Sequence, residues 1–119
     1  MKKLLNSFGY ALKGMLEVLK TQQNMRIHAV AVLVVTVVGL FLGLTAVEWS
    51  LIALSIGGVM AAEMMNTAIE ALVDLVSPQF DERAGKIKDI AAGAVLLTAI
   101  VAAVVAVYIF GNKIFNALL

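Results

Sequence analysis

The chain has 119 residues, of which 62% are hydrophobic and 14% charged, a formal net charge of +1 and no cysteine. Its mean hydropathy is +1.00. An ordinary soluble domain carries roughly half apolar residues and about a quarter charged ones, so this chain cannot cover itself with a polar surface, and lipid must be much of its solvent. Disulfides and thiolate metal sites are excluded, and no basic cluster interleaved with aromatics points to nucleic acid.

Residues 4–20 are expected to form an amphipathic helix within a single domain, 1–119. Leu4, Leu5, Phe8, Leu12, Met15, Leu16 and Leu19 recur at three- and four-residue spacing, while Asn6, Lys13, Glu17 and Lys20 fall mostly on the other side. These polar breaks, and the lack of a small-residue cleavage site, argue against a signal peptide. A helix of this pattern lies in a membrane interface or packs on a partner. The interface is preferred because the next segment enters the bilayer almost at once.

The first apolar span is read as 27–47, long enough to cross a hydrocarbon core. Gly39 and Gly43 form a small-xxx-small pair suited to close helix packing. His28, at the start of the span, is read as an interfacial anchor rather than a site residue. Arg26 suits either a lipid phosphate or the positive-inside pattern. The second span is read as 49–76 and ends at Ser77-Pro78, because proline disfavours helix in the residue before it. Residues 79–86 form a polar loop in which Asp81 and Glu82 are solvated charges or adenine contacts. The third span is read as 87–110. Lys2, Lys3, Lys13, Lys20 and Arg26 precede the first span, and Arg83, Lys86 and Lys88 lie between the second and third. The positive-inside rule therefore places the N-terminus in the cytoplasm and the C-terminus outside, with Trp49 and Tyr108 near the outer interface.

The chemistry concentrates in the second span. Glu63, Asn66, Glu70 and Asp74 stand at offsets 0, 3, 7 and 11, within one sector of a helix at about 100° per residue. Each ionised group in hydrocarbon costs a few kcal/mol even on lenient scales, and such residues are functional by default. The competing reading is a structural stripe neutralised by Lys88 or Arg83. Glu63 lies about 10 Å deeper than Glu70 at 1.5 Å per residue. Carboxylates near the water phase suit Mg²⁺ shared with phosphates, and a deeper one suits a general base for a lipid hydroxyl. Met60, Met64 and Met65 are read as packing between helices. No phosphate-binding glycine loop or protein-kinase catalytic loop is present.

The segment Glu63-Met64-Met65-Asn66-Thr67-Ala68-Ile69-Glu70-Ala71-Leu72-Val73-Asp74 resembles the signature of the prokaryotic diacylglycerol kinase family, which includes undecaprenol kinases. Lys88-Asp89-Ile90-Ala91-Ala92-Gly93-Ala94-Val95-Leu96 is similar to its second signature. Asn24-Met25-Arg26-Ile27-His28, Gly9-Tyr10 and Lys13-Gly14 fit as well. The resemblance implies an all-α integral membrane protein: a surface helix plus three transmembrane helices, assembled as a homotrimer with shared active sites in a bacterial cytoplasmic membrane. It implies transfer of the ATP γ-phosphate to a lipid alcohol, either diacylglycerol or undecaprenol, with Mg²⁺. By the same resemblance Glu63 is the catalytic base and Asn66 orients it or the substrate. Glu70 holds Mg²⁺ bridging the ATP phosphates, and Lys88, Asp89, Tyr10 and Lys3 contact the nucleotide. Gln22 stands where the family commonly has a second metal-binding glutamate, so one anionic ligand is missing. The competing functions are a small oligomeric transporter using Glu63 as a proton or cation site and a non-catalytic interaction subunit joined through the glycine pair.

Overall fold

The computed structural model describes residues 1–119 and is entirely helical: α1 (Lys2–Thr21), α2 (Gln23–Leu42), α3 (Ala46–Val76) and α4 (Glu82–Leu118). Helices α2, α3 and α4 are each long and apolar enough to cross a membrane. The 20 residues of α2 span about 30 Å, the thickness of a hydrocarbon core. With 31 and 37 residues, α3 and α4 run about 46 and 55 Å. The protomer is a slab of 59 × 43 × 21 Å. Its main seam is the packing of α3 on α4; α1 touches α2 and α3.

Local chemistry sets each boundary. At the α1–α2 link Gln22 is extended (φ −110°, ψ 117°). The Arg26 guanidinium donates to the Lys20 carbonyl at 2.9 Å, placing a cation where the end of α1 leaves carbonyls without helical partners. Helix α2 stops at Leu42, short of the expected 47, because Gly43 takes a left-handed conformation (φ 70°) as its C-cap, a geometry glycine adopts without steric cost. Val47 therefore belongs to α3. That helix starts with a capping box in which Thr45 Oγ1 accepts from the Glu48 amide (3.2 Å) and Glu48 Oε1 accepts from the Thr45 amide (2.9 Å). The expected 79–86 loop is shorter than read. Asp81 caps α4 by accepting from the Arg83 amide at 2.8 Å, and the helix is under way from Glu82. At its far end α4 continues eight residues past 110.

Half of the glycine pair serves close helix packing: Gly39 of α2 is buried against a side chain of α3, but Gly43 does not. Gly43 is outside any helix, and Gly39 is pressed by Trp49 of the same chain: a Cβ on Gly39 would stand 2.6 Å from the indole Cη2. Met60 and Met64 are half-buried, but Met65 is 63% exposed and does not pack between helices of the protomer.

Ten residues are buried, so the interior is a thin seam rather than a core. Side chains such as Leu54 and Val107 are largely exposed, as expected where the surrounding medium is hydrocarbon.

Candidate functional site

The buried stripe of α3 is Ile52, Val59, Glu63, Asn66 and Val73. It begins as an apolar packing seam against α4 and becomes polar midway without changing face. Glu63 is 1% exposed and Asn66 8%, and they are the two polar or charged residues among the ten buried ones. Glu63 Oε2 and Asn66 Oδ1 are buried without a hydrogen-bond partner. A buried polar atom left unpaired costs about 1–3 kcal/mol, and more when charged. Two adjacent instances on one helix face mark a place where the fold tolerates a cost that an apolar pair would avoid.

The remaining stripe grades toward water. Asn66 Nδ2 donates to Glu70 Oε1 at 3.4 Å, linking the buried amide to a half-buried carboxylate. The Thr67 hydroxyl donates to the Glu63 carbonyl at 2.9 Å. Asp74 is exposed and accepts from Lys88 Nζ at 2.6 Å, which joins the two sequence signatures across the α3–α4 hairpin. Arg83 is paired with Asp81 at 3.0 Å. The stripe is therefore not neutralised as a whole: Lys88 bridges Asp74 directly and lies only within Coulombic range of Glu70, Arg83 is engaged elsewhere, and neither Glu63 nor Glu70 has a cationic side chain in a salt bridge. A polar hollow of about 200 Å³ lies beside this end, bounded by Asp74, Gln79, Phe80, Asp81, Gly85 and Lys88.

The other expected site residues do not join the cluster within the protomer. Asp89 is exposed at the start of α4. Tyr10 is exposed on α1, with Lys13 Nζ 5.8 Å from its ring centre, and Lys3 is exposed two turns earlier. Gln22 is half-buried at the α1–α2 link, away from the α3 stripe in sequence and held there by the bend. His28 departs from the anchor reading: it is half-buried and lines an apolar hollow between α2, α3 and α4.

No three of the acidic or histidine side chains converge closely enough to cage a metal by themselves. The donor set on α3 nevertheless suits a hard cation. It offers carboxylate and amide oxygens, two of them without partners, and Mg²⁺ commonly takes one or two carboxylates and completes its shell with water and substrate phosphates. Glu70 and the Asn66 oxygen are the donors on this face that such an ion could use.

Residues 9–110 match the family described as prokaryotic diacylglycerol kinase. The chain is 36% identical over 114 residues to an undecaprenol kinase of Bacillus subtilis (strain 168), covering 96% of this chain and 93% of the relative. It is 33% identical over 102 residues to a diacylglycerol kinase of Escherichia coli (strain K12), covering 86% and 84%. A diacylglycerol kinase of Synechocystis sp. is 44% identical over 103 residues, and there the match covers 86% of this chain but 59% of the longer relative.

Proposed function

The chain belongs to the prokaryotic diacylglycerol kinase family and is a membrane lipid kinase; on that premise we propose that it transfers the γ-phosphate of ATP to the hydroxyl of a lipid alcohol at the Glu63–Asn66–Glu70 face of α3. The observation that carries the reading is the buried Glu63 carboxylate with an unpartnered oxygen, one helical turn from an amide that bridges to Glu70. Glu63 takes the proton from the lipid hydroxyl. The freed oxygen forms a bond to the γ-phosphorus as the bond to the bridging β–γ oxygen breaks, and ADP leaves with that electron pair. Asn66 orients Glu63 through its place in the same face. Glu70 and Asn66 would hold Mg²⁺, which would offset phosphate charge when bound. Lys88 and Asp89 meet the nucleotide from α4, and Tyr10 and Lys3 meet it from α1.

The same reading orders the assembly. Helix α1 lies along the membrane interface, apolar side down. The basic N-terminal segment and the α3–α4 loop face the cytoplasm, and three protomers complete each other's sites. The exposed positions of Tyr10, Lys3 and Asp89 are compatible with donation across protomers. Gln22, apart from the stripe within one protomer, would supply a neutral oxygen to the metal across the assembly, so Gln22→Glu is expected to lower the magnesium concentration needed for half-maximal activity; superimposable magnesium titrations would remove Gln22 from the metal site.

The deciding experiment is transfer of label from γ-labelled ATP to diacylglycerol and to undecaprenol in detergent, with and without magnesium. Labelled lipid that depends on magnesium is the expected result. Ion movement without ATP consumption would instead make Glu63 a transport site.

A further inference from the structure

The lysines of α1 fall into two groups about its axis. Val18 is the one buried residue of the helix and marks the side turned to α2 and α3. At about 100° per residue, Lys3 lies about 60° from Val18 and Tyr10 about 80°, in the same direction. Lys2, Lys13 and Lys20 lie about 160°, 140° and 160° from it, in one line along the far edge. That line borders the apolar face, beside Leu5 and Leu16. The three lysines are exposed and stand about 16 and 10 Å apart along the axis. No carboxylate pairs with any of them: the ion pairs of the protomer are Arg83 with Asp81, Lys88 with Asp74 and Lys113 with Glu48.

The elbow between α1 and α2 adds a fourth cation to this edge. Arg26 folds back to donate to the Lys20 carbonyl at 2.9 Å, which holds its guanidinium against the backbone of Lys20. Arg26 is exposed and in no ion pair, and its remaining N–H donors are free for an anion. Glu17, the one acid of α1, sits on the water side, about 60° from Lys20. A lysine at the border of an apolar helix face lays its stem on that face and carries its ammonium at headgroup level. These four cations point away from the packed side of the helix, so what they meet in a bilayer is headgroup rather than protein. An unanswered basic edge in that position is complementary to a net negative charge.

We propose that the far edge of α1, from Lys2 through Lys13 to Lys20 and Arg26, is a docking edge for anionic phospholipids, whose headgroup phosphates these cations meet in the leaflet that α1 lies on. The inference rests on the interfacial placement of α1 proposed above and is independent of the phosphoryl-transfer step. The lysine spacings exceed the screening length of about 8 Å at physiological salt, so the lysines act separately and their contributions add. Lipid bound along this edge fixes the roll of α1 about its axis. With Lys2, Lys13 and Lys20 held outward, Lys3 and Tyr10 stay turned toward the protein.

The test uses the full chain in nanodiscs of phosphatidylcholine alone or mixed in equal parts with phosphatidylglycerol. Mass spectrometry counts the lipids retained after gentle release from the mixed discs, and hydrogen exchange follows residues 2–26 in both. Wild type is expected to retain phosphatidylglycerol over phosphatidylcholine, and high salt should erase the preference. A basic residue near an anionic surface contributes about fivefold in affinity, so Lys13→Gln combined with Lys20→Gln should lower the retention ratio by about an order of magnitude or more. Lys13→Arg with Lys20→Arg, which keeps the charge, should preserve the ratio. So should Lys86→Gln, which removes an exposed lysine of α4 outside the edge. Retention that mirrors the composition of the discs overturns the proposal, as does a glutamine pair that behaves like wild type. An equal loss in Lys86→Gln would assign the effect to diffuse charge, and a loss in the arginine pair to helix structure; either overturns it as well. Fast exchange of residues 4–19 in both kinds of disc would instead refute the interfacial placement of α1 itself.

Discussion

The two ends of α3 are built on opposite principles. At the Ala46 end every device closes a polar group. Thr45 and Glu48 cap each other. Lys113 reaches across from α4 to Glu48 at 3.2 Å and to the Gly43 carbonyl at 3.3 Å, and Trp49 seals the space over Gly39. At the Glu63 end two buried oxygens stay open, and a carboxylate stripe carries less positive charge than it needs. Both ends use acidic residues on the same helix. An acid beside its partner is a fastener, whereas a buried acid without one is a group held ready for something the chain does not contain. Changes at the Glu63 end should cost activity and spare stability, and changes at the Ala46 end should do the reverse.

The largest effect expected is from Glu63→Gln. It removes the base while keeping its shape, and turnover at saturating lipid and ATP should fall about 10²–10⁴-fold with nucleotide binding nearly intact. Thermal unfolding in detergent should be unchanged or shifted upward, because an unpartnered buried carboxylate is gone. Near-wild-type turnover would break the assignment of Glu63; a large drop in Tm with activity retained would break the comparison itself. Glu70→Gln is the companion variant, and its loss should appear as weaker magnesium-nucleotide binding, read by titration.

Next in size is Gly39→Ala at the closed end. The added Cβ collides with the indole of Trp49, and overpacking of this kind costs about 1–3 kcal/mol. The loss should appear in Tm, with kcat per folded enzyme retained. Gly39→Ala combined with Trp49→Phe should recover part of it, which would identify the ring as the cause.

Thr45→Ala comes third. It deletes the hydroxyl half of the capping box, worth about 1 kcal/mol in typical helices, and should speed amide exchange in the first turn of α3 without altering substrate kinetics. Altered kinetics would mean that the two ends of α3 are coupled.

The smallest effect sits at the α3–α4 turn, which borders both regimes. The Arg83 side chain hydrogen-bonded to Asp81, followed by the Arg83 amide, holds the Asp81 carboxyl below its ordinary value. A carboxyl depressed in the folded state stabilises above its unfolded pKa, and the stabilisation is lost as pH falls through the folded value. Mild acidification should therefore leave the cap in place, and stronger acid should fray the first turn of α4 locally, as measured by hydrogen exchange. Asp81→Asn, which keeps a capping oxygen, should abolish that acid dependence.

Much of this was legible in the residues themselves. Offsets of 3, 7 and 11 are properties of a helix, so the common face of Glu63, Asn66, Glu70 and Asp74 follows once the segment is helical. The existence of all four helices follows from run lengths and periodicity in the same way, and the signatures carry the family. The misses are local competitions or long-range pairings. Helix α2 ends five residues before its hydropathy suggests, because hydropathy does not register a left-handed glycine that stops a helix, and it begins four residues earlier. Methionine favours burial by type, but the place of Met65 on the helix faces it outward.

Periodicity and run length within the chain are enough for the four helices, the amphipathic pattern of residues 4–20 and the acidic face, whereas the caps at Thr45 and Asp81 emerge only with the fold. Long-range packing selects which of those acids is answered. Lys88 meets Asp74 across 14 residues and Lys113 meets Glu48 from the opposite end of the chain, while Glu63 is left buried and open. The physical reason lies in register. Antiparallel helices joined by short turns set residues at matching distances from the turn side by side, so the three-residue and five-residue links on either side of α3 choose its partners. That choice also places His28, Met60 and Ala99 at one level beside Glu63, and the hollow they line exists only once all three helices have met.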